Sequence, residues 1–219
     1  MPEINLMHRY PKSDRSNLLS QRPYVDSSTR DVLRKFEKEY FDGDRKLGLG
    51  GYYYDPKFFS PVVEDMISHY KIAESASILD VGCAKGFLLH DFKRYLPRCK
   101  IAGIDISRYC LDTAMEDVKD FLLFGTCEDL PFETQSFDLV ISIATIHNLD
   151  LEGVKRSLLE IERVKRKHAF IKVNGYRDEG ERRILESWNL VAKTILHVDE
   201  WRAIFKEVGY TGDYSFFTP

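Results

Sequence analysis

From Ser77 onward, apolar segments of strand length alternate with segments of helical periodicity. SILDVG is followed by GFLLHDFKRYL, KIAGIDI by SRYCLDTAMEDV, and FDLVISIAT by LEGVKRSLLEIERV. The strand-like segments are apolar throughout, which is typical of parallel strands that helices cover on both faces. DFLLFGT, HAFIKVN and YSFF are further candidate strands. This order predicts an α/β fold with a doubly wound, mostly parallel sheet of roughly six or seven strands.

The chain before this alternation has a different character. Residues 1–26 are polar and show no period, which predicts an irregular arm. Its segment HRYPKSDR either brings charges to a ligand or is a solvated tail, and we expect the tail. SSTRDVLRKFEKEYF and residues 60–70 have helical spacing, and the loop GLGGYYYDP lies between them. We therefore divide the chain into an arm with a helical cap or lid, residues 1–70, and an α/β domain, residues 71–219.

Composition and charge narrow the class of protein. The net charge of -3 gives no general attraction to nucleic acid or to an anionic membrane. The first residues lack the apolar core of a signal peptide, and no apolar run approaches the length of a membrane span. The four cysteines form no C-x-x-C pair, so we expect reduced thiols and no metal site. We predict a cytoplasmic protein that binds neither nucleic acid nor membrane.

The first predicted strand runs into the turn DVGCAKG. Ligands of open parallel sheets bind beyond the carboxyl ends of the strands, so this turn is a candidate site. Ala84 and Phe87 stand where the dinucleotide fingerprint has its second and third glycines. A P-loop needs Gly-Lys-Ser/Thr, but here Lys85 precedes Gly86. The turn therefore suits a nucleotide-type ligand whose contact with it is not a pyrophosphate.

DVGCAKG, with Asp80 at the end of the strand, resembles the first motif of the class I S-adenosylmethionine-dependent methyltransferases, an acidic residue followed by x-G-x-G-x-G. Ala84 replaces the middle glycine. IAGIDIS, GTCEDLPFETQSFDLV and SIATIHNLD follow in the order of the family's later motifs. The resemblance covers roughly residues 70–210. It implies a Rossmann-like fold and makes residues 71–219 the S-adenosylmethionine-binding catalytic domain.

The family's sheet usually has seven strands, of which the last is antiparallel. After the predicted helix that ends at Gly209, only YTGDYSFFTP remains, which leaves room for one strand. Either the seventh strand is absent, or a short strand lies between Leu190 and His197.

The resemblance also implies roles for individual residues around the cofactor. Asp105 would accept hydrogen bonds from both ribose hydroxyls, and Ile106 would pack on adenine. Thr126 stands where the family often has an acidic residue that accepts from the adenine amino group, so its neighbours would share that contact. The cofactor-binding residues that we expect are Asp80, Gly82, Cys83, Ala84, Gly86, Asp105, Ile106, Thr126, Cys127, Glu128, Ile143 and Tyr53.

Acceptor binding and catalysis are expected opposite this turn. His147 follows the fourth strand and is a candidate general base, since its ordinary pKa suits proton transfer near neutral pH. Alternatively it caps the turn or lines the pocket. The tyrosines of GLGGYYYDP either form a lid that excludes water or pack the cap on the sheet. The candidate substrate residues are Tyr52, Tyr54, Arg45, Asn148, Asn174 and Tyr176.

We expect methyl transfer to a small molecule, with a hydroxyl of a sugar or sugar nucleotide in a surface-glycan pathway as the first candidate acceptor. N- or carboxyl-methylation of another small metabolite is the alternative within the same class. A non-catalytic protein that binds S-adenosylmethionine and a nicotinamide-dependent oxidoreductase are the other classes left open. A homodimer is an assembly that we also leave open.

Overall fold

The computed structural model describes residues 2–11 and 24–217. Its helices are α1 (Ser27–Leu33), α2 (Lys38–Phe41), α3 (Pro56–Tyr70), α4 (Phe87–Tyr95), α5 (Arg108–Asp112), α6 (Leu151–Val164), α7 (Glu179–Trp188) and α8 (Val198–Glu207). Its strands are β1 (Ser77–Val81), β2 (Lys100–Asp105), β3 (Leu122–Phe124), β4 (Phe137–Ile143), β5 (Lys165–Tyr176), β6 (Leu196–His197) and β7 (Asp213–Phe217). Short 3-10 turns lie at Lys119–Phe121 and Ile146–Asn148.

Within these described residues, seven strands form one sheet in which every pairing is parallel. The order is β3-β2-β1-β4-β5, and both β6 and β7 pair with β5. The strand order reverses at β1, which lies between β2 and β4. The predicted Rossmann-like, doubly wound α/β sheet is confirmed, and the reversal places the ligand site beyond the ends of β1 and β4.

The seventh strand is the short β6, which lies inside the interval that the sequence left open. Leu196 and His197 pair with Gly175 and Tyr176 of β5. β7 pairs directly with β5, starting with Phe170 opposite Asp213, and it runs parallel rather than antiparallel. The reason is the connection, because α8 returns the chain along the sheet before β7 begins, as a parallel crossover requires.

Helices cover both faces of the sheet. On one face, Val62, Val63 and Met66 of α3 and Phe92 of α4 pack against Ile78 of β1. On the other face, apolar residues of α6 and α8 pack against β1, β4 and β5; they are Val154, Leu158, Ile161, Trp201 and Phe205. The continuous apolar strands are therefore explained by burial on both sides.

Residues 2–11 lie on the fold rather than in solvent. The backbone N–H of Ile4 donates to the Tyr214 carbonyl oxygen of β7 at 2.8 Å. Leu6 and Met7 are buried in the core beside α3, and the Arg9 guanidinium pairs with Glu64 at 2.9 Å. The expected solvated tail is therefore wrong for Arg9 and Tyr10, because Arg9 pairs with Glu64 and the Tyr10 ring packs on Phe59. Residues 12–15 of HRYPKSDR lie outside the described residues.

The cap differs in detail from its prediction. The single helix expected from Ser27 is two helices, and the break between them contains Phe36 with a φ of 54°. α3 begins before residue 60, because the Asp55 side chain accepts from the Lys57 N–H and caps its start. α3 is also part of the main core. The division of the chain at residue 70 stays a prediction.

Candidate active site

A cleft of about 910 Å³ lies at the carboxyl ends of the central strands. The chain segments at the carboxyl ends of β1, β2, β3, β4 and β5 contribute to it, and the cap closes part of its other side. A smaller cavity of about 50 Å³ adjoins it and shares Tyr52, Gly82 and Ile143 with it. Ligand pockets of proteins are typically about 300–1,000 Å³, so the larger cleft has the volume for a cofactor-sized ligand.

The turn after β1 owes its shape to three residues with positive φ. Gly82 has a φ of 83° and Gly86 of 76°. Ala84, where the family motif has glycine, has a φ of 46°. A Cβ atom on Gly82 would lie 2.1 Å from the Thr145 Oγ1 atom, so glycine there allows the end of β4 to approach the turn closely.

Asp105 joins the end of β2 to this turn. One carboxylate oxygen accepts from the Ala84 N–H at 2.8 Å, and the other accepts from the Ser107 N–H at 2.8 Å. Burial raises the pKa of Asp105, although these backbone donors act in the opposite direction. Each carboxylate oxygen has a further lone pair, and Asp105 lines the cleft. The side chain is therefore positioned to accept from a ligand.

Asp80 lines the smaller cavity behind the turn. Burial, with a smaller contribution from the negative charge of Asp105, raises the pKa of Asp80 to about 8. A buried carboxyl group with so high a pKa gains from a cationic partner, because a nearby positive charge favours its ionised form. Asp80 and Asp105 thus make this end of the site suited to a positively charged ligand group.

The turn after β3 brings three predicted cofactor residues to the cleft, Thr126, Cys127 and Glu128. The Thr126 Oγ1 atom accepts from the Glu128 N–H at 3.2 Å. The Glu128 carboxylate is paired with Arg156, and the Cys127 thiol accepts from the Ser157 hydroxyl in the core. The side chains of Cys127 and Glu128 are thus engaged elsewhere, which leaves Thr126 and the backbone of this turn for a ligand.

His147 lies in the turn after β4 and is 2% exposed. Its Nδ1 atom is 3.4 Å from the Asn174 nitrogen and accepts from that N–H. Burial lowers the pKa of His147 to about 4. The ring is therefore neutral near pH 7 with its proton on Nε2, and it lines the cleft as a hydrogen-bond donor. Its role as general base stays a prediction.

The structure brings most of the predicted residues together and leaves a few apart. The cleft and the adjoining cavity are lined by Asp80, Gly82, Cys83, Ala84, Asp105, Ile106, Thr126, Cys127, Glu128, Ile143, His147, Asn148, Asn174, Arg45, Tyr52 and Tyr53. Gly86 shapes the turn from outside the cleft, as the N-cap of α4. Tyr54 and Tyr176 are not brought to the cleft.

The three tyrosines of the cap have three different environments. The Tyr52 ring packs on Phe87, with ring centroids 4.8 Å apart, and faces the cleft. Tyr53 is 76% exposed at the rim. The Tyr54 hydroxyl donates to the buried Asp91 carboxylate at 2.6 Å and accepts from Arg94 at 3.0 Å. Tyr54 thus holds the cap on the rest of the fold, as the packing interpretation expects. The lid interpretation then concerns only Tyr52 and Tyr53.

Sequence reasoning missed the contact that ties the cap to the glycine turn. The buried Lys85 ammonium donates to the Asp42 carboxylate at 2.7 Å and to the Tyr52 carbonyl oxygen at 2.8 Å. Asp42 also accepts from the Tyr109 hydroxyl and the Tyr52 N–H. Burial alone would raise the pKa of Asp42, but these donors lower it overall. The signal in the sequence was a lysine within the glycine turn, but the sequence did not show which residue would pair with it.

Residues 79–172 match the family model described as a methyltransferase domain. Over this segment the chain is similar to methyltransferase domains, and its fold and glycine turn agree with that similarity. The ubiquinone biosynthesis O-methyltransferase of Rickettsia bellii is 27% identical over 152 residues, which are 65% of this chain and 61% of that protein. The tRNA (carboxymethyluridine(34)-5-O)-methyltransferase of Arabidopsis thaliana is 32% identical over 134 residues, 57% of this chain and 30% of that protein.

The chain thus spans less than two thirds of the length of these curated relatives. Among solved structures, the YcgJ protein from Bacillus subtilis has a TM-score of 0.54 and 19% identity, covering 67% of this chain and 66% of that one. The putative methyltransferase in complex with the Haloferax volcanii Trm112 methyltransferase activator has a TM-score of 0.54 and 20% identity, covering 67% and 71%. At these identities the likeness supports the fold.

No helix in the described residues combines the length and apolar character needed to cross a membrane.

Proposed function

We propose that this protein is an S-adenosylmethionine-dependent methyltransferase that acts on a small-molecule acceptor. One observation supports the proposal most strongly. The carboxyl groups of Asp80 and Asp105 both lie beside the glycine turn, at the point where the strand order reverses. This arrangement lies within the segment that matches the methyltransferase domain model.

The residues present fit this cofactor. Asp105 would hold the ribose, and Ile106 and Thr126 would flank the adenine. The backbone from Gly82 to Ala84 and the carboxyl group of Asp80 would face the amino-acid end. When bound, S-adenosylmethionine supplies a methyl group that is activated by a positively charged sulfur. Two carboxylates near one turn complement the positive charges of such a molecule.

The protein's own part in the reaction is alignment and exclusion of water. The contact of Lys85 with Asp42 and with the Tyr52 carbonyl oxygen holds the cap against the turn. The Tyr52 ring, packed on Phe87, then lies at the boundary between the cleft and the smaller cavity. We assign to this part of the cap the role of a lid over the cofactor.

An oxygen acceptor fits the site best. The curated relatives named above carry O-methyltransferase in their names. A sugar hydroxyl needs a base to remove its proton, and His147, with its pKa lowered to about 4, takes up a proton weakly at neutral pH. A carboxylate acceptor is already ionised at that pH. We therefore favour carboxyl O-methylation over the hydroxyl of a sugar or sugar nucleotide, which stays the second candidate.

Isothermal titration calorimetry with S-adenosylmethionine, S-adenosylhomocysteine and NAD tests the cofactor. We expect saturable binding of the first two, and we expect Asp105→Asn to weaken it at least about tenfold, or about 1.4 kcal/mol. Asp112→Asn removes the same charge from an exposed position on α5 and should leave binding unchanged. Binding of NAD without any response to S-adenosylmethionine would overturn the proposal in favour of an oxidoreductase.

Turnover distinguishes an enzyme from a non-catalytic binding protein. We expect S-adenosylhomocysteine to form when the protein is incubated with the cofactor and a set of small carboxylic acids and sugars. Binding of the cofactor without product from any acceptor would favour the non-catalytic class. The absence of nucleic-acid and metal binding and the cytoplasmic location stay predictions, and a homodimer stays an open alternative.

A further inference from the structure

Three apolar residues, Phe36, Leu149 and Val191, line the cleft away from the glycine turn. Val191 follows α7 and is buried, and Phe36 of the cap packs against the cluster that contains it. Leu149 follows the 3-10 turn after β4 and is half-buried. We call these three residues the apolar wall, since they bring hydrocarbon groups to the cleft from three separate parts of the chain.

The polar groups around the apolar wall are satisfied by one another. The Asn189 Oδ1 atom accepts from the Val191 N–H at 2.9 Å, and the Arg34 Nε–H donates to the Val191 carbonyl oxygen at 3.3 Å. The Thr194 hydroxyl donates to the Leu149 carbonyl oxygen at 2.7 Å. A ligand at this wall therefore meets apolar side chains whose polar neighbours already have partners.

The apolar wall adjoins the turn that contains His147. Leu149 comes two positions after His147, and the Thr194 N–H donates to the His147 carbonyl oxygen at 3.0 Å. The His147 Nδ1 atom accepts from the Asn174 N–H, so the neutral ring presents its own N–H at Nε2. The wall thus lies next to a hydrogen-bond donor of the cleft.

Asn174 supplies a second donor beside His147. The residue lines the cleft and is 2% exposed, and its Nδ2 amide group has no hydrogen-bond partner among the described residues. The backbone of Asn174 is fixed, because its carbonyl oxygen accepts from the Trp201 indole N–H at 2.8 Å. A buried donor without a partner is unfavourable, so an oxygen atom of a ligand would be stabilising there.

We propose that the methyl acceptor is a carboxylic acid with a hydrocarbon body, which lies on the apolar wall while its carboxylate accepts from Asn174 and His147. The inference rests on the proposed function, because it assigns the opposite half of the cleft to the cofactor. The hydroxyl groups of a sugar would lose water at this wall without gaining partners, which is unfavourable. A hydrocarbon body gains from the same burial.

Methyl transfer to such an acceptor needs no base. One carboxylate oxygen forms a bond to the methyl carbon, while the bond between that carbon and the sulfonium sulfur breaks and its electron pair stays on the sulfur. No proton moves in this step. His147 therefore acts as a hydrogen-bond donor to the acceptor.

Isothermal titration calorimetry with acids that differ in their bodies tests the proposal. Protein saturated with S-adenosylhomocysteine is titrated with butanoate, hexanoate, octanoate and gluconate. Hexanoate and gluconate have the same number of carbon atoms and a single carboxylate, and they differ in the hydroxyl groups.

We expect the association constant to rise about fourfold with each methylene group from butanoate to octanoate, as for burial of hydrocarbon. Hexanoate should bind at least about tenfold more tightly than gluconate, because the hydroxyl groups find no partners at the wall. Equal binding of hexanoate and gluconate, or no binding of octanoate, would overturn the proposal.

Variants of the apolar wall show where the hydrocarbon body binds. Leu149→Gln should reduce the gain per methylene group to less than about twofold, because it places an amide at the wall. Val191→Thr keeps the shape of its side chain and should act in the same direction. Leu159→Gln makes the first exchange at an exposed position of α6 and should leave the series unchanged. An equal effect of Leu159→Gln would contradict binding at the wall.

Asn174→Ala tests the carboxylate end of the acceptor. It should weaken all of the acids by a similar factor of at least about threefold, because each loses the same hydrogen bond. The gain per methylene group should stay that of the wild type. A loss confined to octanoate would place the carboxylate elsewhere and contradict the proposed orientation.

The two proposals fail in different ways. Calorimetry without cofactor binding would overturn the proposed methyltransferase, and with it the assignment of these acids to an acceptor site. Cofactor binding combined with equal affinities for hexanoate and gluconate would overturn only the hydrocarbon acceptor.

Discussion

Ala84 occupies a backbone conformation that normally favours glycine. Its φ of 46° lies in the left-handed region, which costs a residue with a Cβ atom about 1–2 kcal/mol. Its methyl group is buried in a cluster with Phe41 and Cys110. Ala84 thus replaces the middle glycine of the family motif but adopts a backbone conformation that favours glycine. Burial of the methyl group against the cap offsets part of that cost.

We expect Ala84→Gly to change the free energy of unfolding by no more than about 1 kcal/mol, because relief of the left-handed backbone offsets the lost methyl contacts and the extra freedom of the unfolded chain. Ala84→Val should lower it by more than about 3 kcal/mol, since a β-branched residue is strained there and overpacks the cluster. Urea unfolding measures both. Ala203→Val on the exposed face of α8 is the control, and an equal loss there would contradict this explanation.

Asp80 should make stability depend on pH. Its pKa is raised to about 8 in the folded protein, against about 3.9 in an unfolded chain, so the folded state holds the proton more tightly. The stability that this proton contributes is fully present below about pH 4 and is lost as the pH rises towards about 8.

We therefore expect Asp80→Asn to reduce the fall in the free energy of unfolding between about pH 5 and pH 8, because an amide does not titrate. Urea unfolding of both proteins across this range is the measurement, with Asp112→Asn as a control that keeps the wild-type slope. Parallel pH profiles of the wild type and Asp80→Asn would show that Asp80 ionises normally.

The glycine turn and the cap are joined by the Lys85–Asp42 contact, and this contact predicts how firmly the cap is held on the turn. Lys85→Met should destabilise the protein by about 2–3 kcal/mol, because Asp42 loses a charged hydrogen-bond donor. It should also speed hydrogen exchange of the amides from Asp42 to Tyr52. Asp42→Asn should have the same effects, and in the double variant they should be less than additive.

Lys35→Met, at an exposed position next to α1, serves as the control for this pair. Unchanged exchange from Asp42 to Tyr52 in Lys85→Met would mean that aromatic packing alone holds this part of the cap. Full additivity of the two substitutions would mean that the contact contributes nothing of its own.

Most of the strands, and the placement of the glycine turn and Asp105 at strand ends, could be predicted because their signals are local. Each strand and the polar residue at its end are adjacent in the sequence, as in DVGCAKG and IAGIDIS. The contacts of the cap with the α/β part of the chain could not be predicted in the same way. The direction of the Tyr54 side chain depends on Asp91, 37 positions away, and Lys85 finds Asp42 at a separation of 43. Such contacts arise only when helices and sheet have packed.

For the molecule as a whole, the segment of residues 2–11 contributes two side chains to the core. Leu6 and Met7 are each 5% exposed and pack in the cluster that contains α3. We expect Leu6→Ala to lower the free energy of unfolding by about 2–4 kcal/mol, as for other buried leucines. His8→Ala, at an exposed neighbouring position, should cost less than about 0.5 kcal/mol. Equal effects in urea unfolding would indicate that the arm is detached in solution.

The pairing of the arm with β7 has a consequence for how the protein is made. The Ile4 N–H bonds to the Tyr214 carbonyl oxygen, so this segment pairs with a strand that is translated 210 positions later. At about 5–20 residues per second, that interval lasts roughly 10–40 s. Throughout it, Leu6 and Met7 lack the strand edge on which their segment finally lies. The pairing of this segment with β7 can therefore form only after that interval, and until then the apolar segment is available to chaperones.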